Sequence, residues 1–216
     1  MWTVFLDLLF PRRCFSCGAG GNLICKNCLA SLPVAPVIPT NENIVACFNY
    51  EAPVVKKIIW QLKYQGLTSL AKELATPLHE RLIEEIADLS AYAGGQKILI
   101  VPVPLSAKRA RERGYNQSAL SAKALADKDT VNLEYAPDLI IKVKHTPPQV
   151  SLKNRGARLK NLRGAFSAAG NQTVRGRTII VIDDVTTTGA TLSEVMRTLK
   201  QNGAEVTLGA ALAHSE

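Results

Sequence analysis

Long apolar runs are missing from this 216-residue chain, and none approaches the roughly 20 residues that span a bilayer. A secretory leader is missing too. Met1–Phe10 is apolar but has no basic start, carries Asp7 and runs into Pro11, Arg12 and Arg13, whereas a signal places positive charge first and small residues at a cleavage site. That opening is expected to be a short amphipathic helix or packing arm. Internal repeats and low-complexity tracts are absent as well. The expectation is a cytoplasmic protein without membrane insertion. The three histidines (His79, His145, His214) show no metal spacing, and none is assigned a catalytic role. Acidic residues are missing over a long interval. None lies between Asp138 and Asp183, where nine basic residues do: Lys142, Lys144, Lys153, Arg155, Arg158, Lys160, Arg163, Arg175 and Arg177. Scattered cations are ordinarily a solvated face, but a one-signed segment this long repels itself unless something anionic lies against it. Phosphates fit, on a small molecule or on nucleic acid.

What is present suits one medium α/β domain with a small appendage. Hydrophobic residues make up 47%, mean hydropathy is +0.05 and net charge is +8. Residues 1–32 hold four of the five cysteines, and 33–43 carry three prolines without periodicity, which predicts a stiff linker. The remainder, 44–216, alternates strands with helices. Strands are expected at Ile44–Tyr50, Lys97–Pro104, 138–144, Thr178–Ile182 and Glu205–Ala213. A helix should start near Pro53. Leu70, Leu74, Leu78, Leu82 and Ile86 share one face of a second, which Pro77 should kink or divide. Further helices are expected at Asn116–Ala126 and at Ala190–Gln201, closed by Asn202-Gly203. Continuous aliphatic strands argue for a parallel sheet covered on both faces.

The densest chemistry lies at Ile179–Thr191. Four β-branched aliphatics form a central strand, and Asp183-Asp184 follow at its carboxyl end, where open α/β sheets bind ligands. Thr186-Thr187-Thr188-Gly189 then leads into a helix start, where backbone N–H groups and hydroxyls can wrap a phosphate. Gly189 permits an approach that a Cβ would block. Two acids alone would be a helix cap, and the turn alone an ordinary turn. Together they suit a polyol phosphate, with carboxylates on sugar hydroxyls. The P-loop and Gly-x-Gly-x-x-Gly patterns are both absent.

Cys14, Cys17, Cys25 and Cys28 form two Cys-x-x-Cys knuckles, and four thiolates at that spacing can converge on one Zn²⁺. The alternatives are a disulfide pair, which wants an exported protein, or four unconnected thiols. Glycine-containing loops in a segment too small for its own core favour a structural zinc ribbon. Cys47, within a strand, is expected to be a buried small hydrophobe.

The thirteen residues Ile179–Thr191 resemble the PRPP-binding motif of type I phosphoribosyltransferases. Other segments resemble the ComF family, associated with competence for DNA uptake. They are Leu8–Cys17, Leu62-Lys63-Tyr64-Gln65-Gly66, Val101–Pro104 with Arg113–Gln117, and Thr146–Gln149 through Arg158–Phe166. The resemblance implies a type I phosphoribosyltransferase fold that binds 5-phosphoribosyl 1-pyrophosphate (PRPP). Asp183 and Asp184 would hold the ribose hydroxyls and stabilise a cationic ribose. Thr186, Thr187, Thr188, Gly189 and Thr191 would hold the 5′-phosphate. Pro104 and Arg113 would approach pyrophosphate with Mg²⁺, and the basic loop 145–163, with Thr146, Gln149 and Arg158, would close as a flap. Lys142 and Lys144 stand where relatives tend to carry arginines, which keeps charge and gives up bidentate geometry.

Two function classes follow. One is a DNA-uptake or DNA-processing factor that binds PRPP and works with single-stranded DNA and a competence helicase. The other is a phosphoribosyltransferase releasing pyrophosphate. The basic loop has no interleaved aromatics before Phe166, so a stacking platform for DNA is weakly indicated there. Leu62–Gly66 serves equally as a helix stop or a ligand contact. Arg109, Arg111 and Arg113 fit either a site lip or a solvated helix face.

Overall fold

A computed structural model describes residues 12–36, 43–144, 162–169 and 174–215. Seven strands are present among them: β1 Ile44–Asn49, β2 Ile98–Pro102, β3 Leu133–Tyr135, β4 Ile140–Lys142, β5 Phe166–Ala168, β6 Thr178–Thr186 and β7 Val206–His214. The helices are α1 Lys26–Ala30, α2 Pro53–Tyr64, α3 Leu70–Tyr92, α4 Ala107–Arg113, α5 Gln117–Lys128 and α6 Ala190–Gln201. Five strands form one sheet in the order β1-β7-β6-β2-β3, and all its pairs are parallel. β4 and β5 make a separate antiparallel ribbon.

The aliphatic runs explain the layering. Side chains alternate across a strand, so Ile98, Ile100, Ile180 and Ile182 enter a core with residues of α2, α3 and α5. Leu99, Val101, Ile179 and Val181 enter a second core beneath α6 and the β4–β5 ribbon. Strands sandwiched this way need apolar residues at every position, as expected of a parallel sheet. α3 runs through Pro77 without being divided. The missing amide is local, whereas Leu70, Leu74, Leu78, Leu82 and Ile86 stay buried on both sides of the proline, and burial at about 1.5–3 kcal/mol per side chain outweighs it.

Other differences are short. β3 and β5, three residues each, carry no period long enough to read. α4 is capped by Ser106, whose hydroxyl accepts the Arg109 amide at 3.4 Å, and ends at Gly114 with φ +74. Thr178–Thr186 outruns the expected Thr178–Ile182, so both acids lie inside the strand, paired along β7. Residues 33–36 lie along β1, where Asn49 donates to the Pro33 carbonyl and Ala35 to that of Cys47.

Candidate functional site

β6 is the middle strand of the five, and its carboxyl end delivers Asp183 and Asp184. Alternation sends the two carboxyls to different surroundings. Asp184 is buried, with one oxygen 2.7 Å from the Lys63 ammonium and the other accepting from Gln117. Lys63 comes from the last turn of α2, Gln117 from the first turn of α5. Burial alone would lower the Lys63 ammonium, but the adjacent Asp184 outweighs it and the net shift is upward. Asp183 is partly exposed, and one of its oxygens accepts from the Ser118 hydroxyl at 3.1 Å and the Asp184 amide at 2.8 Å. Surrounding protein and the charge of Asp184 raise its carboxyl to about 7.

The turn that follows folds back on β7. Ser215 N–H donates to the Thr186 carbonyl at 2.9 Å, and His214 Nε2 lies 3.0 Å from that of Thr187. Gly189 takes φ +73 as the residue before α6, a conformation that disfavours side chains. Thr188 Oγ1 is buried without a hydrogen-bond partner among the described residues. Thr191 lies in the first turn of α6. Val103 N–H donates to the Ile182 carbonyl at 2.9 Å, which brings the Val103-Pro104 turn beside the end of β6. Arg113 donates to Gln117 Oε1 at 2.8 Å, so it joins the network around Asp184. Burial and the neighbouring Arg109 push the Lys142 ammonium below its usual range. Thr146, Gln149, Arg158 and most of the basic loop lie outside the described residues, as does the Met1–Phe10 arm.

Lys63, Gln117 and Ser118 had no assigned partner in the sequence, although two short segments already stood out, Leu62–Gly66 and Arg113–Gln117. The available signal was their position: each lies at a helix end bordering a strand carboxyl terminus.

The cysteines converge. All five are free thiols, and the Sγ atoms of Cys14, Cys17, Cys25 and Cys28 all lie within 4.8 Å of one another. Cys17 and Cys25 sulfurs are 3.7 Å apart, close to the ~3.8 Å that a tetrahedron with Zn–S bonds of about 2.3 Å requires. The Cys25 amide donates to Cys14 Sγ at 3.4 Å, the kind of outer contact that orients a thiolate ligand. These four side chains can hold zinc. The box is moored to α3 by Glu73, which accepts the Leu23 and Ile24 amides at 3.2 and 2.8 Å. Cys47 is buried in β1, as expected.

A parallel sheet with an acidic pair and a threonine-glycine turn at one strand's carboxyl end defines a phosphoribosyltransferase-type domain, and the phosphoribosyl transferase domain family matches residues 117–216. The chain is 31% identical over 195 residues to the DNA utilization protein YhgH of Escherichia coli K12, covering 88% of this chain and 79% of that protein. It is 32% identical over 186 residues to Competence protein F of Haemophilus influenzae, covering 84% and 74%. The chain belongs to the ComF family. Hypoxanthine-guanine phosphoribosyl transferase of L. donovani overlaps 67% of this chain and 71% of its own, with 14% identity and a TM-score of 0.40. Among the described residues, no helix is long and apolar enough to cross a membrane.

Proposed function

We propose that this ComF-family chain binds PRPP with Mg²⁺ at the carboxyl end of β6 and serves DNA uptake or processing in competence, with single-stranded DNA and a competence helicase as partners. The observation that carries the reading is the Asp183-Asp184 pair leading directly into the turn that opens α6. Both hydrogen bonds to Asp183 fall on one carboxyl oxygen, and among the described residues the other has no hydrogen-bond partner, open to a ribose hydroxyl. Asp184, committed to Lys63 and Gln117, can still share a lone pair on either oxygen. The unpartnered Thr188 hydroxyl and the amides around Gly189 suit the 5′-phosphate, with Thr186, Thr187 and Thr191 completing the cradle. Pro104 and Arg113 border the pyrophosphate side, where Mg²⁺ would neutralise phosphate charge. Thr146, Gln149 and Arg158 would belong to a flap that excludes water. Cys14, Cys17, Cys25 and Cys28 would hold one structural Zn²⁺ in a module spanning 1–32, joined through 33–43 to the domain 44–216.

In a transfer reaction the C1′–O bond would break with its electron pair leaving on pyrophosphate, and an acceptor nitrogen would bond to C1′. Asp183, when ionised, would stabilise the cationic ribose between those events. Calorimetric titration with PRPP–Mg²⁺, then with ribose-free pyrophosphate, tests the reading. PRPP should bind more tightly, and Asp183→Asn should erase that preference. Equal binding of both ligands, or none, sinks it. Pyrophosphate release with any one nucleobase would identify an active transferase of nucleotide salvage or synthesis.

A further inference from the structure

α2 buries one face completely, with Val55, Ile58, Ile59 and Leu62 all in the core. Its opposite face carries two large aromatics that the core does not use. Trp60 is 48% exposed and Tyr64 57%. Spaced four apart, they stand one above the other on the helix surface, with ring centroids 6.3 Å apart at a 45° tilt. A single exposed aromatic needs no explanation, but Tyr64 of this pair is held in place from another element. The Arg113 guanidinium lies 4.9 Å from the Tyr64 ring centroid and donates to its hydroxyl at 3.2 Å. Its other nitrogen reaches Gln117, which holds Asp184. The aromatic step therefore ends at the lip of the β6 site.

Charge continues from there in one sign. α4, about 10 Å long at 1.5 Å per residue, ends in Arg113 and carries Lys108 and Arg111 into a groove of about 370 Å³ completed by Lys142 and Lys144. Among the described residues, Lys108 pairs with Glu112 at 3.9 Å and Asp183 offsets part of the charge on Lys142, so the basic groups outnumber the acidic ones. Lys142 is already pushed toward neutrality by burial and by Arg109, a crowding that an anion would relieve. Flat aromatic faces beside a cationic track match single-stranded nucleic acid, because every base has a π-face and every linkage a phosphate.

We infer that Trp60 and Tyr64, the latter clamped by Arg113, form a stacking platform for the unpaired bases of a single strand whose phosphates follow α4 into the Lys108–Lys144 groove. The choice of DNA as client rests on the proposed function; the platform itself does not require PRPP. Stacking supplies sequence-tolerant grip, and the groove supplies salt-sensitive attraction.

The test is anisotropy of a labelled oligo-dT about 12 nucleotides long, within the usual range of site sizes. Trp60→Ala and Tyr64→Ala should each weaken binding by roughly 5- to 100-fold, while Trp60→Phe should stay near wild type and Trp60→Leu should not. The salt slope should not change, since no charge is removed. An abasic oligomer of equal length should bind weakly and ignore Trp60→Ala. Wild-type affinity in both alanine variants, equal losses for the abasic strand, or no binding at low salt would overturn the inference. So would a dimer that Trp60→Ala dissociates and oligo-dT leaves intact, because a second copy would then own the platform. PRPP calorimetry on the same proteins separates the two readings: lost oligo-dT binding with no PRPP binding in wild type rejects the PRPP site and keeps the platform.

Discussion

The cysteine box and the β6 turn both gather polar groups around a potential ligand, by different means. In the box, all four sulfurs come from residues 14–28, and α1 buries none of its residues. Leu23 and Ile24 tie the segment to the main core, but no single regular element carries the four sulfurs, so their mutual geometry is left to the ligand. In the β6 turn, Asp183 and Asp184 stand on the central strand, paired between β2 and β7, and their partners arrive from α2 and α5. There the sheet holds the geometry and the ligand only visits. The contrast predicts that metal loss disorders the box, whereas ligand loss leaves the β6 site intact.

The largest expected effect tests the box. Purified protein should carry one zinc per chain by metal analysis, and Cys25→Ser should lose it. Isolated zinc peptides take on the order of 10 kcal/mol from their metal, so Cys25→Ser should expose residues 12–32 to proteolysis. PRPP affinity of the domain should persist. Loss of both together would show that the two regions are not independent.

Next comes the buried pair. Asp184→Asn leaves the Lys63 ammonium without its counter-charge, and breaking such a pair costs about 3 kcal/mol. Denaturant midpoints should show the loss. Lys63→Met in the same chain should restore part of it, as coupled sites do. Additive losses would mean the pair does not act as a unit.

Asp183→Asn should behave differently, with small stability change and roughly 10- to 100-fold weaker PRPP binding, since a charged acceptor contributes about 1.5–3 kcal/mol. Its pH behaviour has a defined sign. The carboxyl titrates near 7 in the folded protein against 3.8 ordinarily, so the native state binds its proton more tightly. That contribution to stability is complete below pH 3.8 and is lost as pH rises through 7. PRPP affinity should move the opposite way, rising through the same range as the better acceptor forms. Asp183→Asn should flatten both curves, read by thermal melts and calorimetry across pH 4–8.

The smallest effect sharpens the role of the turn. Gly189→Ala must place a side chain at φ +73, costing ~1–2 kcal/mol, with its Cβ 2.6 Å from Ile44 Cδ1. The Ile44 methyl is the end of a flexible side chain and can move. The backbone cannot, so Gly189→Ala should lower Tm by a few degrees even without ligand. An unchanged Tm would mean that the turn relaxes easily.

Much of this was readable along the chain. Ile179–Ile182 and Ile98–Val101 announce central strands because both sides of a parallel sheet are dry. Ala190–Gln201 appears with the boundaries expected, because its stop at Asn202-Gly203 is local. Pro77 does not divide α3, because a proline's cost is local while its helix is held by contacts elsewhere. The aromatic step was missed for a related reason. The basic loop has no interleaved aromatics before Phe166, whereas Tyr64, with Trp60 beside it, reaches Arg113 from another segment.

The sequence by itself determined what depends on near neighbours: the Cys-x-x-Cys spacing, the aliphatic strands, and the acid pair before a threonine-glycine turn. Only the tertiary structure decided how the two acids differ. Gln117 and Ser118 lie 67 and 65 residues from the carboxylates they touch, and no local period encodes a partner at that distance. Asp184 became the anchored acid and Asp183 the open one because adjacent strand residues face opposite ways, and the sheet brought Lys63 to one side only.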